Sequence, residues 1–217
     1  MIRVLVVDDH PVVRRGIAFI VSDAKDIRVV GEAATGQQAL AFLARQQVDV
    51  VILDLELPGE NGLEVFARIK EAWPDLPVLI LSMYSEEQYA LRAIKAGTAG
   101  YLCKDTMDEV LLAAIRKVVR GGRFITPSLA EKLAAHVQGD ERPAHERLSD
   151  REYLVMHMLA KGRSLKEIGA HLGLSIKTVS TYKARIFQKM GFASLAELVR
   201  YAIEHDLIEA GPSPRGG

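Results

Sequence analysis

The first 124 residues alternate short apolar runs with longer amphipathic stretches. The apolar runs lie at Ile2 to Val7, Arg28 to Val30, Asp49 to Leu53, Pro77 to Leu81 and Gly100 to Cys103. Between consecutive runs there is room for one helix and two short loops. This alternation predicts repeated βαβ units, and therefore a parallel sheet with helices packed against it.

Helices are predicted in the intervals between these runs. They cover Pro11 to Asp23, Gln37 to Arg45, Leu63 to Ala72, Glu86 to Ala96 and Met107 to Arg120. The first has apolar residues at a 3.6-residue spacing, and Pro11 suits its first turn because the N–H group that proline lacks would be unpaired there. Gly97 and the pair Gly121-Gly122 mark helix ends.

Residues 148 to 208 carry only helix signals. Three helix starts have N-cap residues, and the first two are capping boxes: Ser149-Asp150-Arg151-Glu152, Ser164-Leu165-Lys166-Glu167 and Ser175-Ile176-Lys177-Thr178. Gly173 lies where the chain must turn sharply between the last two helices. Two helices joined in this way predict a helix-turn-helix, with Ile176 to Met190 as its second helix.

Length and composition suit two domains. The 217 residues are about half apolar, and the charged stretch Gln138 to Arg147 is the best boundary. We expect a first domain at 1–122, a linker at 123–147 with a short helix at Leu129 to Val137, a helical domain at 148–208, and a disordered tail at 209–217.

Neither a membrane span nor a secreted protein is expected. No stretch approaches the roughly 20 apolar residues of a membrane helix, and Met1 leads straight into a strand without a signal peptide. Cys103 is the single cysteine, which excludes an internal disulfide and suits a reducing cytosol. We therefore expect a cytoplasmic protein without a membrane partner.

Charge is distributed unevenly along a chain whose acidic and basic residues balance at 28 each. From Lys161 to Lys189 there are seven basic residues and one acid, Glu167, so that 29 residues carry a charge of +6. One basic module in a neutral protein indicates a polyanionic partner. The alternative is a solvated basic face on a helical bundle.

Polar side chains follow the predicted strands at their carboxyl ends. They are Asp8, Asp9, Asp54, Ser82 and Lys104. In an open parallel sheet these ends converge on one crevice, where ligands bind. Crowded carboxylates repel by on the order of 4 kcal/mol per close pair at an intermediate dielectric, and a hard cation such as Mg²⁺ relieves that repulsion.

Asp54 is the candidate nucleophile of this site because it stands alone on the central strand. With two other acids to hold the cation, its carboxylate can attack a phosphoryl group. Lys104 and the cation would neutralise the phosphoryl oxygens, and the Ser82 hydroxyl would donate to one of them. The alternative is that these acids are caps or solvated loop residues.

Both halves of the chain resemble one family. Val6-Val7-Asp8-Asp9-His10, Leu53 to Gly59, Leu81-Ser82 and Gly100 to Lys104 resemble the receiver domain of two-component response regulators. Leu148 to Glu152, Lys166 to Gly169 and Lys177 to Lys183 resemble the LuxR-type DNA-binding domain of the NarL/FixJ family. The resemblance implies a flavodoxin-like (βα)5 α/β receiver with strand order 2-1-3-4-5, followed by an all-α four-helix helix-turn-helix domain.

The resemblance also implies roles for the receiver residues. Asp54 would accept a phosphoryl group from a sensor histidine kinase, while Asp8, Asp9, Asp54 and the Glu56 carbonyl hold Mg²⁺. Ser82 and Tyr101 would form the switch pair. Glu56 and Tyr84 occupy positions that tune dephosphorylation. Such a protein is no enzyme on other substrates, because it catalyses only its own phosphoryl transfer and dephosphorylation.

Two positions depart from the usual receiver pattern. Leu57 replaces a common methionine of similar size. Asp105 follows Lys104 where many receivers have a cis proline, and a non-proline cis bond costs roughly 3 kcal/mol. Either that strain is present or the loop is rebuilt.

On the DNA side, the resemblance places the second helix of the helix-turn-helix in the major groove. Ser180, Thr181 and Ala184 would face the bases, and Tyr182 would face either bases or backbone. The expected phosphate contacts are Lys177, Lys183, Arg185 and Lys189, and Thr178 completes the interface. The expected partner is double-stranded promoter DNA, with RNA polymerase as a further candidate.

Phosphorylation is expected to favour a homodimer on paired half-sites. The predicted helix from Met107 has more apolar residues than one core face needs, and they would form a dimer seam with the first helix or be buried against the sheet. Two alternatives are a haloacid dehalogenase phosphatase, which would need Asp-x-Asp at the first strand, and a flavodoxin, whose flavin phosphate Asp8 and Asp9 would repel. A third is a regulator that works without phosphorylation.

Overall fold

The computed structural model describes residues 1–83, 86–126, 129–131, 143–205 and 207–208. The chain divides into two compact units, residues 1–138 and 139–217. Within the described part of the chain, no helix has both the length and the apolar character needed to span a bilayer.

The first unit is built on a five-stranded parallel sheet. Its strands are β1 (Ile2–Val7), β2 (Ile27–Ala33), β3 (Val50–Asp54), β6 (Val78–Ser82) and β7 (Gly100–Cys103). They lie in the order β2-β1-β3-β6-β7. This confirms the predicted strand order, and β3 is the central strand.

Five helices follow the strands in the expected alternation. They are α1 (Pro11–Ser22), α2 (Gly36–Leu43), α3 (Gly62–Ala72), α4 (Glu86–Ala96) and α5 (Met107–Val119). On one face of the sheet, Ile17 of α1 and Ile115 of α5 join strand residues such as Val6 and Ile52 in a buried core. All residues of β3 and β6 are buried, as is typical of parallel strands covered on both faces.

The connections contain the main departures from the sequence prediction. A small antiparallel hairpin, β4 (Glu56–Leu57) with β5 (Glu60–Asn61), was not predicted. After β7 the loop is rebuilt as a 3₁₀ turn over Lys104–Thr106, and no cis peptide bond occurs among the described residues. The Lys104–Asp105 bond therefore carries no cis strain. Phe124 N–H donates to the Ala99 carbonyl at 2.8 Å, which ties the start of the predicted linker to the first unit.

The second unit is helical. Its helices are α6 (Asp150–Ala160), α7 (Leu165–Leu172), α8 (Ile176–Met190) and α9 (Leu195–Glu204). Both predicted capping boxes form, and α7 ends at Gly173 in the left-handed conformation. Val179 and Ile186 of α8 are fully buried, so α7 and α8 make the predicted helix-turn-helix.

Some predictions fall partly or wholly outside the described residues. Of the predicted linker helix, residues 129–131 are helical and 132–142 lie outside. Tyr84 and the tail at 209–217 also lie outside the described residues.

Candidate functional site

Three charged side chains converge at the carboxyl edge of the sheet. Asp8 follows β1, Asp54 ends β3, and Lys104 follows β7. Lys104 Nζ lies 2.7 Å from Asp8 Oδ2 and 2.7 Å from Asp54 Oδ2. The three residues are 1, 2 and 9 % exposed, so these charges interact with little screening by water.

Asp9 and His10 extend this group into a candidate cation site. Asp8, Asp9, His10 and Asp54 each offer one ligand atom, and these atoms lie within 4.8 Å of one another. Three carboxylates and one lysine carry a formal charge of −2, which a divalent cation would balance. A set of carboxylate oxygens is the donor chemistry that Mg²⁺ takes in proteins, so the residues present fit that ion.

The protonation of Asp54 and Lys104 is set by their burial and their mutual contact. Burial raises the pKa of Asp54 to about 7; the charge of Lys104 opposes the shift and that of Asp8 adds to it. Burial alone would lower the pKa of Lys104, but the charges and hydrogen bonds of Asp54 and Asp8 outweigh it and raise that pKa. Lys104 is therefore a fixed positive charge, while Asp54 is poised to gain or lose a proton near neutrality.

The loop after β3 holds the Asp54 carboxylate and carbonyl in place. Glu56 N–H donates to Asp54 Oδ1 at 3.2 Å. Gly62 begins α3 so close to the strand that a Cβ there would come within 2.1 Å of the Asp54 carbonyl oxygen. The role of the Glu56 carbonyl as a metal ligand stays a prediction.

Ser82 and Tyr101 lie on neighbouring strands. Ser82 ends β6 and pairs with Cys103, two residues beyond Tyr101. Both side chains are fully buried, with the Tyr101 ring turned inward. Their role as a switch pair stays a prediction.

Two contributors to the site were missed by sequence reasoning. Arg14 Nη1 donates to the Asp8 carbonyl at 2.7 Å while its Nε pairs with Glu32. Glu60 accepts a hydrogen bond from Gly36 N–H at 2.7 Å, which ties the β4–β5 hairpin to α2. Both contacts join residues on different segments and have no periodic signal, although the position of Arg14 one turn into α1 was a visible cue.

The α8 face that was predicted to bind DNA is largely exposed. Lys177, Ser180, Thr181, Ala184, Arg185 and Lys189 are exposed, and Thr178, Tyr182 and Lys183 are half-buried. Several of these side chains already have a partner. Thr181 Oγ1 donates to the Lys177 carbonyl at 3.0 Å, and Lys183 Nζ lies 5.3 Å from the centre of the Phe187 ring.

Lys189 has a partner inside the domain. Its Nζ lies 2.6 Å from Oε2 of Glu152, the buried capping-box acid at the start of α6. Burial alone would raise the pKa of Glu152, but hydrogen bonds from Lys189 and Ser149 outweigh it and lower that pKa. Lys189 thus fastens the end of α8 to α6, and its predicted phosphate contact stays untested.

Comparison with known proteins decides the family. Residues 4–116 match the response regulator receiver domain, and residues 146–202 match the bacterial regulatory proteins of the luxR family. Response regulator UvrY of Escherichia coli (strain K12) is 38% identical over 97% of both chains. Response regulator GacA of Pseudomonas aeruginosa is 37% identical over 97% of this chain and 99% of its own.

The chain is a two-component response regulator.

Solved structures of other response regulators agree with this assignment. RcsB from Salmonella enterica serovar Typhimurium, bound to promoter rprA in the presence of the phosphomimetic BeF3-, matches with a TM-score of 0.64. It is 26% identical and covers 92% of this chain and 97% of that chain. This response regulator thus joins a receiver domain to a LuxR-type DNA-binding domain, as its sequence motifs indicate.

Proposed function

We propose that this response regulator is activated by Mg²⁺-dependent phosphorylation of Asp54 by a sensor histidine kinase. The phosphorylated protein then favours a dimer that binds promoter DNA. The observation that carries the proposal is the contact of Lys104 Nζ with both Asp8 and Asp54 at 2.7 Å. Lys104 thus lies beside the Asp54 carboxylate on the central strand, where its positive charge can neutralise the oxygens of an acyl phosphate.

In the phosphoryl transfer, an oxygen of the ionised Asp54 attacks phosphorus and forms a P–O bond. The bond from phosphorus to the donor's leaving atom breaks, and that atom keeps the electron pair and takes a proton from water. Lys104, already paired with Asp54 Oδ2, neutralises the developing oxygen charge. Hydrolysis of the acyl phosphate at this site returns the ionised Asp54.

Mg²⁺ would be held by Asp8, Asp9 and Asp54, with the Glu56 carbonyl as a further ligand. When bound, the ion supplies positive charge beside the phosphoryl oxygens and balances the formal charge of −2 at the site. Asp54 then stays ionised and able to attack, because the cation opposes the rise in pKa that burial causes.

Ser82 and Tyr101 are proposed to transmit the phosphorylated state. The Ser82 hydroxyl would turn toward the phosphoryl group. The Tyr101 ring, which lies inside the protein, would then fill the space that the hydroxyl leaves. Their positions on adjacent strands β6 and β7 support this pairing.

A dimer seam is best placed on α1. The apolar residues of α5 that seemed surplus in sequence are used by the core: Val110, Leu112 and Val119 pack against it. In contrast, Val12 and Phe19 of α1 are 80 and 73 % exposed. Burying such side chains between two copies would stabilise a dimer.

The exposed basic face of α8 supports promoter DNA as the partner. Lys177 and Arg185 are exposed on α8, and small polar groups at Ser180 and Thr181 lie between them along the helix. A promoter-bound regulator acts in the cytoplasm, where RNA polymerase is a further candidate partner.

Because the proposed reaction is the protein's own phosphorylation and dephosphorylation, no turnover of a small phosphate ester is expected.

The test is intact mass after incubation with Mg²⁺ and acetyl phosphate. Wild type and Asp26→Asn should each gain one phosphoryl group, while Asp54→Asn should gain none. Asp26 precedes β2 and is the matched control, because it lies at the opposite edge of the sheet. An adduct on Asp54→Asn, or none on wild type, would contradict the proposal.

A further inference from the structure

The imidazole of His10 faces the carboxylates of the proposed cation site. His10 Nδ1 lies 2.7 Å from Asp9 Oδ1 and 3.3 Å from Asp8 Oδ1. Ligand atoms on adjacent vertices of an octahedron with bonds of about 2.1 Å lie about 3.0 Å apart. The two distances from His10 Nδ1 lie on either side of that spacing, and all the candidate ligand atoms lie within 4.8 Å of one another.

Among the described contacts, the His10 ring has no partner other than the Asp8 and Asp9 carboxylates, so ligation of an ion would displace no other interaction. His10 is the N-cap residue of α1, but its side chain makes no capping hydrogen bond. Its backbone N–H donates to Asp8 Oδ1 at 2.8 Å, which fixes the residue beside the site. The ring is 57 % exposed, so a bound ion would keep positions open to water or phosphate.

We propose that His10 is a nitrogen ligand that makes this site selective for divalent transition ions, such as Co²⁺ or Zn²⁺, over Mg²⁺. Imidazole binds these ions well, whereas Mg²⁺ prefers oxygen ligands. The inference rests on the proposed cation site and adds one ligand to it. Both kinds of ion would be bound by Asp8, Asp9 and Asp54, whereas His10 would bind only the transition ion.

The experiment titrates the full-length protein with Co²⁺ near pH 7.5 and follows its visible absorption, which responds to nitrogen ligation. Mg²⁺ affinity is then measured by displacement of Co²⁺. The variants are His10→Gln, which keeps a polar side chain without the imidazole, and Asp9→Asn, which removes a ligand shared by both ions. Circular dichroism confirms that each variant is folded.

The proposal predicts that His10→Gln loses about tenfold or more in Co²⁺ affinity while Mg²⁺ affinity changes far less. Asp9→Asn should lose affinity for both ions. If His10 is only a cationic partner of Asp9, then His10→Gln changes both affinities by the same factor, which overturns the proposal. If wild type binds neither ion, the cation site itself is wrong, and the proposed function loses its metal.

Discussion

At the scale of single residues, Asp54 is held between opposing influences. Burial raises its pKa to about 7, while Lys104, 2.7 Å away, favours the ionised form. Because the folded pKa lies above the ordinary value of 3.8, the metal-free folded state binds the proton more tightly than the unfolded state. The stability that this proton contributes is present below pH 4 and is lost as pH rises toward 7.

A bound cation reverses the preference of folded Asp54 for its protonated form, because the cation binds only the ionised carboxylate. The apparent affinity for Mg²⁺ should therefore rise by up to about tenfold per pH unit below pH 7 and level off above it. Melting temperatures with and without Mg²⁺ at pH 6 and 8 measure this effect. In Asp54→Asn the dependence on pH should largely vanish; if it persists unchanged, another group controls metal binding.

At the scale of elements, the start of α3 depends on Gly62. A Cβ there would come within 2.1 Å of the Asp54 carbonyl oxygen, a contact that only backbone movement can relieve. Gly62→Ala should therefore displace Asp54, slow phosphorylation by acetyl phosphate at least tenfold (about 1.4 kcal/mol in the barrier) and lower the melting temperature.

The control is Gly16→Ala in α1, where the added methyl group would meet only Met107 Cε at 3.7 Å. Alanine in place of a helical glycine should stabilise the protein by about 0.5–1 kcal/mol and leave phosphorylation unchanged. Equal phosphorylation rates in the two variants would show that the approach at Gly62 does not position Asp54.

Helix α8 offers a contrast between two lysines. Lys189 pairs with Glu152 at 2.6 Å, whereas Lys183 stacks over Phe187 with no acidic partner among the described contacts. Lys183→Gln should lower the slope of log affinity against log salt by about 0.9, the loss expected for one phosphate contact. Lys189→Gln should weaken DNA binding with little change in that slope.

Stability gives an independent readout of the Lys189–Glu152 pair. The pKa of Glu152 is lowered from its ordinary value of 4.5. The pair therefore stabilises the fold at pH values above 4.5, and this stability is lost as the pH falls. The difference in melting temperature between Lys189→Gln and wild type should therefore shrink in acid. A reduced salt slope for Lys189→Gln, with no change in melting temperature, would show that Lys189 contacts phosphate instead.

At the scale of the whole molecule, local signals predicted most of the fold. The bounds of α8 and the capping boxes were correct, because each depends on a few adjacent residues such as Ser175. The β4–β5 hairpin was missed because two-residue strands have no periodicity. The contacts of Arg14 with Asp8, and of Lys189 with Glu152, join residues on different elements and could not be read from either element alone.

At the site, too, the positions of residues could be predicted from the sequence, but the contacts between their side chains could not. The sequence placed Asp8, Asp54 and Lys104 at one edge of the sheet, because parallel strands bring their carboxyl ends together. It did not show that Lys104 bridges both acids or that His10 faces them, since side-chain direction depends on how the loops close.

The most direct test of activation by phosphorylation is the affinity of full-length protein for promoter DNA, measured with and without Mg²⁺ and acetyl phosphate, together with its sedimentation at the same concentrations. Phosphorylated wild type should bind DNA at least tenfold more tightly and sediment as a dimer, and Asp54→Asn should respond to neither addition. Wild type that binds DNA equally well in both conditions and stays monomeric at high concentration would contradict activation by phosphorylation.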